Sequence, residues 1–224
     1  MVNKELIMEQ ITVIRNALPF LLKGAGMTIK ITAFAVLFGI VLGTILGLAR
    51  VSKSKLLKGL AKAYIEFFRG TPLLIQLFIL YYGLPSLGIK LPPYLAAVLG
   101  LGLNSGAYVG EIVRSGINSI NKGQMEAARS LGMSYPEAMR YVILPQAIKR
   151  VIPPLGNEFI ALLKDSSLVS VIAVKDLTRQ SRLIISRNYR SFLILISAAV
   201  IYFCMTFILT RLVNYAERRL NYSD

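Results

Sequence analysis

Long apolar runs alternate with short polar stretches along the chain. Four runs, Ile31 to Ala49, Gly70 to Ile89, Leu91 to Gly110 and Ser191 to Thr210, contain no charged residue. Each is close to the roughly 20 residues a helix needs to cross a hydrocarbon core about 30 Å thick. A fifth region, Val151 to Val174, has the length but includes Glu158, Lys164 and Asp165. The pattern predicts five spans. Ahead of the first, Leu6, Ile7, Ile11, Ile14, Leu18 and Leu21 recur at helical spacing, which predicts an interfacial amphipathic segment over residues 1–26.

Between the third and fourth runs lies a polar insert, Glu126 to Pro145, EAARSLGMSYPEAMRYVILP. Asn121 with Gln124 reads as a helix start, and Gly132 can take the left-handed conformation that ends a helix. Ser134 and Glu137 have the spacing of a capping box, with Pro136 in the first turn, so a second helix is predicted at once. Gly39, Gly43 and Gly47 recur every fourth residue in the first run, a pattern that permits close helix packing in lipid. Gly70 and Pro72 break the start of the second, where Tyr64 to Phe68 forms a helical lead-in. Leu84 to Pro93 holds three prolines and reads as a short external loop.

Composition supports a membrane protein: hydrophobic residues make up 55% of 224, and mean hydropathy is +0.60. The net charge of +15 comes from basic residues between apolar runs, not from a stripe that would track nucleic acid. Six Lys and Arg lie between Arg50 and Arg69, six between Glu111 and Arg150 and three from Arg211 on, against four before Ile31, Lys90, and five between Lys175 and Arg190. The bias puts the insert and carboxyl terminus in the cytoplasm and the amino terminus outside. The segment Lys175, Arg179, Arg182, Arg187, Arg190 then stands as a basic external loop against the rule, suited to docking an acidic partner. The first residues are too interrupted by charge for a cleaved leader. There is no His, and the one Cys, Cys204, sits in an apolar run. No metal cluster or nucleophile pair points to an enzyme. Gly24 to Lys30 lacks the spacing of a phosphate-binding loop. A cation channel and a proton-coupled transporter are the other transport classes; the second is disfavoured because no internal repeat is found.

Acidic residues near the spans, Glu66, Glu111, Glu158 and Asp165, are expensive in lipid and mark candidate sites. Asn104, Tyr108 and Glu111 share one helical face, either as a polar seam or as ligands. Arg114 is placed in the headgroup region, which leaves Glu111 without a partner at depth. Glu66 has Arg69 at i+3 for an ordinary ion pair. Lys164 to Ser167 predict a local unwinding, with a half-helix from Ser166 aiming its N–H groups at an anionic group such as an amino-acid carboxylate; pairing of Lys164 and Asp165 in a buried network with Glu158 is the plain alternative. Surplus carboxylates suit a cationic solute.

EAARSLG from Glu126 to Gly132, followed after nine residues by VILP from Val142 to Pro145, resembles the EAA signature of ABC importer permeases, with Val142 in place of Ile. FFRGTPLLIQLF (67–78), NSGAYVGEIVRSGI (104–117) and NEFIALLKDSSLVSVI (157–172) are similar to the polar amino-acid branch. The resemblance implies an all-α polytopic fold of the type I ABC importer permeases, with five transmembrane helices and a cytoplasmic coupling helix between the third and fourth. It implies a permease domain over 27–217 with its coupling loop at 121–150 and a cytoplasmic tail at 218–224, in the cell membrane. The chain would itself hold no cofactor, ATP and Mg belonging to a partner ATPase. It would pair with a second copy or sibling, ABC ATPase subunits and an extracellular or periplasmic substrate-binding protein. Glu126, Ala127, Ala128, Leu131 and Gly132 would couple to the ATPase. Tyr64, Glu66, Gln76, Asn104, Ser105, Tyr108, Glu111, Asp165, Ser167 and Ser170 would contact a polar, cationic amino acid of the arginine, lysine or histidine type.

Overall fold

In the computed structural model, which describes residues 2–221, every element is helical. Met1 and residues 222–224, which belong to the expected amino-terminal segment and tail, lie outside the described residues. The first element, α1 (Val2–Val51), runs unbroken through the boundary expected at residue 26 and contains Pro19. At 1.5 Å per residue a 50-residue helix is about 75 Å long, more than twice a hydrocarbon core, so only part of it can lie in lipid.

Helix α4 (Pro93–Asn118) is the axis of the molecule. Of its apolar stretch 67% is buried in protein, against 11% for α9 (Ser191–Asn221), which presents apolar side chains such as Phe192 and Phe203 outward. The glycine series of α1 explains the centrality of α4. Built-in Cβ atoms at Gly43 and Gly47 would stand 2.4 and 2.6 Å from the Cβ atoms of Val109 and Val113. The two backbones can meet only because those methyl groups are missing.

Three apolar cores follow from this arrangement. Ile31, Ala35, Leu77, Leu101, Leu162 and Ile172 form one, and Val109, Val113, Ile117, Ile143 and Val151 another. Leu21, Ala25, Leu177, Ile194 and Ala198 form a third between the amino-terminal half of α1 and the last helices.

Length and composition by themselves support three spans, or up to four, of the five expected. Three helices among the described residues, α1, α4 and α9, are long and apolar enough to cross. The pair α2 (Lys55–Gly70) and the segment from α3 (Leu73–Phe78) to Leu87 would make a fourth, but bends by 102° at its break. The second run is therefore not one rod: beyond α3 it passes through a wide π turn at Ile79–Gly83 and a tight 3-10 turn at Leu84–Leu87 before Gly88 reverses it at φ +81°. The segment expected as a loop from Leu84 thus begins helical. Helix α7 (Leu144–Asp165) fails because Lys149, Arg150, Glu158, Lys164 and Asp165 put at least three charges in any stretch long enough to cross.

Two further differences concern the last third of the chain. The expected half-helix at Ser166 does not start afresh. A 3-10 helix, Ser166–Ile172, continues from α7, and the Ser166 N–H is already bonded to the Leu162 and Lys164 carbonyls, so no free N–H cluster points outward there. The basic segment 175–190 is not a loop but mostly helix α8 (Leu177–Asn188). Asp176 caps it, accepting from the N–H groups of Thr178 at 3.1 Å and Arg179 at 2.9 Å. Arg190, just ahead of α9, pairs with Glu9 of α1 at an exposed position.

Candidate functional site

The predicted contact residues divide into a satisfied seam and an open face. In the seam, Asn104 Nδ2 donates to Gln76 Oε1 at 3.0 Å and to the Phe68 carbonyl at 3.2 Å. Gln76 Nε2 donates to the carbonyls of Phe68 and Thr71 and to Thr71 Oγ1 at 2.9–3.1 Å. Gly70 and Pro72 interrupt the helix between α2 and α3, leaving carbonyls without helical donors, and the two amides take them up. Tyr64 is held likewise, its hydroxyl donating to the Leu103 carbonyl at 2.8 Å. Asn104, Gln76 and Tyr64 therefore join α2, α3 and α4; of the two readings of Asn104, the geometry carries the seam.

Glu66 does not pair with Arg69. It is exposed and lies 3.5 Å from Lys62, one turn earlier, an ion pair at a solvated surface worth little. Glu111 is not left alone: Arg114 grips both its oxygens, Nε to Oε2 at 2.9 Å and Nη2 to Oε1 at 2.5 Å. A bidentate pair one turn apart on α4 uses the carboxylate that the sequence left free.

The open face is built around Arg69, which the sequence reading treated only as a neighbour of Glu66. Its guanidinium lies over the Tyr108 ring, 5.3 Å from the centroid, and acts electrostatically on both Glu111 and Glu158. Glu158 of α7 in turn lies within the field of Asp165 and on the side of Ser105, whose buried Oγ makes no hydrogen bond. Tyr108, Arg69 and Asp165 are exposed, Ser167 half-buried, while Ser105 and Ser170 are buried. Contributions from the end of α2, the middle of α4 and the end of α7 thus converge. One guanidinium, two carboxylates and a phenol can bind complementary charges of a zwitterion. A signal for Arg69 existed: it is the one cation at the Gly70–Pro72 break, where a helix end meets the apolar run.

The second surface is α5 (Lys122–Ser130). Asn121 caps it by accepting from Gly123 N–H at 2.8 Å. Its carboxyl end closes through Met133 N–H to the Ala128 carbonyl, with Gly132 at φ +85°. Ala128 is buried against the bundle, whereas Glu126, Ala127 and Gly132 are exposed and Leu131 is 84% exposed.

The Ser134–Glu137 capping box is present, the Ser134 N–H donating to Glu137 Oε2 at 2.7 Å. These bonds hold the Glu137 carboxyl below its usual range. Its helix α6 (Tyr135–Ala138) is not separate, however. A π turn at Met139–Ile143 leads straight into α7, its widened ring placed where Pro145 lacks an N–H and would crowd the preceding turn. The segment from Tyr135 is thus helically continuous with the helix that bears Glu158.

A buried cluster that sequence reasoning missed fastens α8. Asp176 is fully buried, Tyr202 of α9 bonds to it and to Thr178 Oγ1 at 3.0 Å, and Thr28 Oγ1 of α1 accepts from Leu177 N–H at 3.2 Å. Burial pushes the Asp176 carboxyl up, with the cap bonds opposing.

Comparison with known proteins gives consistent results. The family model described as binding-protein-dependent transport system inner membrane component matches residues 39–222. The arginine transport system permease protein ArtQ of Bacillus subtilis (strain 168) is 42% identical over 208 residues, covering 92% of this chain and 95% of that protein. The glutamine transport system permease protein GlnP of Escherichia coli (strain K12) is 41% identical over 206 residues, covering 91% and 94%. A crystal structure of an amino acid ABC transporter with histidines superposes with a TM-score of 0.89 at 48% identity, covering 92% of this chain and 96% of that one.

Proposed function

The chain belongs to the family of binding-protein-dependent transport system inner membrane components, and on that premise we propose that it is the permease subunit of an ABC importer for polar amino acids, cationic ones preferred. Relatives named for arginine and glutamine transport support the substrate class. ATP hydrolysis belongs to partner ATPase subunits, and this chain's part is to bind, move and release. A second copy or sibling covers the open face, and a substrate-binding protein delivers cargo from outside.

The observation that carries this reading is the exposed Leu131, set beside Ala127 on a helix whose signature residues match those of importer permeases. In our reading Glu126, Ala127, Leu131 and Gly132 meet the ATPase, and Ala128 anchors the coupling helix to the bundle. Motion of α5 travels through the π turn into α7, which rocks as a unit. We take α7 as the fifth crossing, its charged side turned to protein and water, with the bent α2–α3 pair as the second. The amino terminus is external and the insert cytoplasmic, by the bias of basic residues.

Substrate binds on the face of Arg69, Tyr108, Glu158 and Asp165, with Ser105, Ser167 and Ser170 behind it. Arg69 receives the amino-acid carboxylate, and Glu158 with Asp165 receives the ammonium and a cationic side chain. Tyr64, Gln76 and Asn104 hold this face in place, and Glu66 and Glu111 contribute only through their fields.

Co-reconstitution with the ATPase and the binding protein in liposomes tests the proposal. ATP-dependent uptake of labelled arginine and glutamine over glutamate is expected. Flux through the chain without ATP would favour a channel and overturn it.

A further inference from the structure

We propose that the cavity between the ends of α1 and α4, the start of α2 and the inner side of α5 holds the phosphate head group of an anionic phospholipid. The cavity measures about 550 Å³ and is lined by Arg50, Lys58, Arg114 and Lys122, with Asn118 and Asn121 as neutral polar groups and no acidic residue. Arg114 is neutralised by Glu111, whose two oxygens it occupies. Lys53 stands over the ring of Tyr135, 4.7 Å from its centroid, and that ring itself lines the cavity. Arg50, which also feels the Glu111 carboxylate, shares the cavity with Lys58 and Lys122.

Like charges gathered in a recess repel one another unless an anion joins them. Of the three, Arg50 offers the planar fork that a phosphate fits, while Lys58 and Lys122 add point charges at the same mouth.

The surroundings point to a lipid as the source of that phosphate. On α2, Leu56, Leu57 and Leu60 are 71%, 52% and 63% exposed beside Lys55, Lys58 and Lys62. On α1, Ile45 and Leu48 are exposed just before Arg50. Apolar surface for acyl chains therefore leads to the cationic mouth, the arrangement of an interfacial lipid site. Met125 and Lys122 line the cavity from α5, while Ala127 and Leu131 occupy another face of that helix. A head group there ties the coupling helix to α1 and α2 without competing with Leu131. This role rests on the importer reading, which makes that side cytoplasmic.

The test uses the permease–ATPase complex in nanodiscs of phosphatidylcholine with and without phosphatidylglycerol, with retained lipid counted by native mass spectrometry. Preferential retention of phosphatidylglycerol is expected, falling roughly fivefold for each cation removed along the series Arg50→Gln, Lys58→Gln and Lys122→Gln. Copurification of the ATPase with each variant checks the fold. Equal retention of the two lipids, or retention unchanged in the triple variant, overturns the proposal. Full displacement of the lipid by inorganic phosphate assigns the cavity to a soluble anion and also overturns it. So does retention by the isolated permease that vanishes on adding the ATPase, since the occupant is then a protein carboxylate. Retention is read without reference to sidedness, so failure of the importer orientation shows separately, as outside labelling of Leu131→Cys in sealed vesicles.

Discussion

Asn104 on α4 donates to the side-chain oxygen of Gln76 on α3 at 3.0 Å, and both amides reach the carbonyl of Phe68 at the end of α2. This contact across 28 residues holds the 102° elbow that brings Arg69 towards Tyr108. Sharp bends in a lipid-facing chain need their freed carbonyls repaired from within, and here two side chains supply the repair.

Asn104→Leu leaves Gln76 Oε1 without its donor in a buried place and takes one of the two amide donors from the Phe68 carbonyl, at a cost of about 1–3 kcal/mol. Thermal unfolding in detergent is expected to shift down for Asn104→Leu and for Gln76→Leu. The double variant should cost less than the sum, since the contact is lost only once. Strict additivity would dismiss the pair as the clasp.

Much of this fold can be read from local sequence, and the exceptions share a cause. The charge-free windows Ile31–Ala49 and Ser191–Thr210 lie within helices, Leu91–Gly110 does so from Pro93 on, and the caps at Asn121 and Ser134 form as their residue types dictate. Helix α8 was hidden because its basic residues resemble a loop, although Asp176 at its start is a cap signal. Partner choice was not legible at all. Glu66 takes Lys62 because Arg69 is drawn away by Tyr108, 39 residues later, and no spacing rule on α2 contains that ring. The Asp176, Tyr202 and Thr28 cluster joins three helices and is equally non-local.

Close approach of α1 and α4 makes Gly43 intolerant. A methyl group there meets Val109 at 2.4 Å, so Gly43→Ala should destabilise by about 1–3 kcal/mol. Gly26→Ala on the same helix has nothing within 4 Å and should gain up to about 1 kcal/mol from helix propensity. Melting temperatures compare the two, and Val109→Gly, which removes the Cβ that alanine would keep, should relieve Gly43→Ala more than Val109→Ala does. Equal effects at both glycines would show that packing does not set the first.

Two carboxyls outside the spans give opposite dependence on pH. Asp176 is pushed up by burial, so its contribution to stability is complete below its ordinary range and is lost as pH rises through the raised value. Glu137 is held down by Ser134, so its contribution is present above its ordinary range and is lost as pH falls through the lowered value. Amide exchange, corrected for intrinsic rates, should show α8 loosening with rising pH and the Ser134 turn loosening with falling pH. Asp176→Asn should remove the first trend only.

At the surface proposed to meet the ATPase, Gly132 and Leu131 separate shape from contact. Gly132→Ala places a side chain at φ +85°, a strain of about 1–2 kcal/mol that loosens the helix end. Leu131→Asp leaves the fold unchanged because the side chain touches little of this chain. Both should lower ATPase copurification, but only Gly132→Ala should lower the melting temperature. Undiminished complex formation by Leu131→Asp would remove that leucine from the interface.

Arg69 offers the most direct reading of the substrate face. If its guanidinium takes the amino-acid carboxylate, Arg69→Gln removes a charge-assisted contact of about 1.5–3 kcal/mol, and the concentration giving half-maximal uptake should rise roughly tenfold to a hundredfold. Arg69→Lys keeps the charge but loses the planar fork, and should fall between. A purely structural role predicts something else, because the stacking on Tyr108 is worth only about 0.5–1 kcal/mol at an exposed position and would appear in melting temperature. Tyr108→Leu removes the same stacking without touching the charge, so its melting temperature isolates that contribution. A loss of melting temperature in Arg69→Gln equal to that in Tyr108→Leu, with half-maximal uptake unmoved, would assign Arg69 to packing. A large loss of affinity in Arg69→Gln alone, at unchanged melting temperature, assigns it to the amino acid.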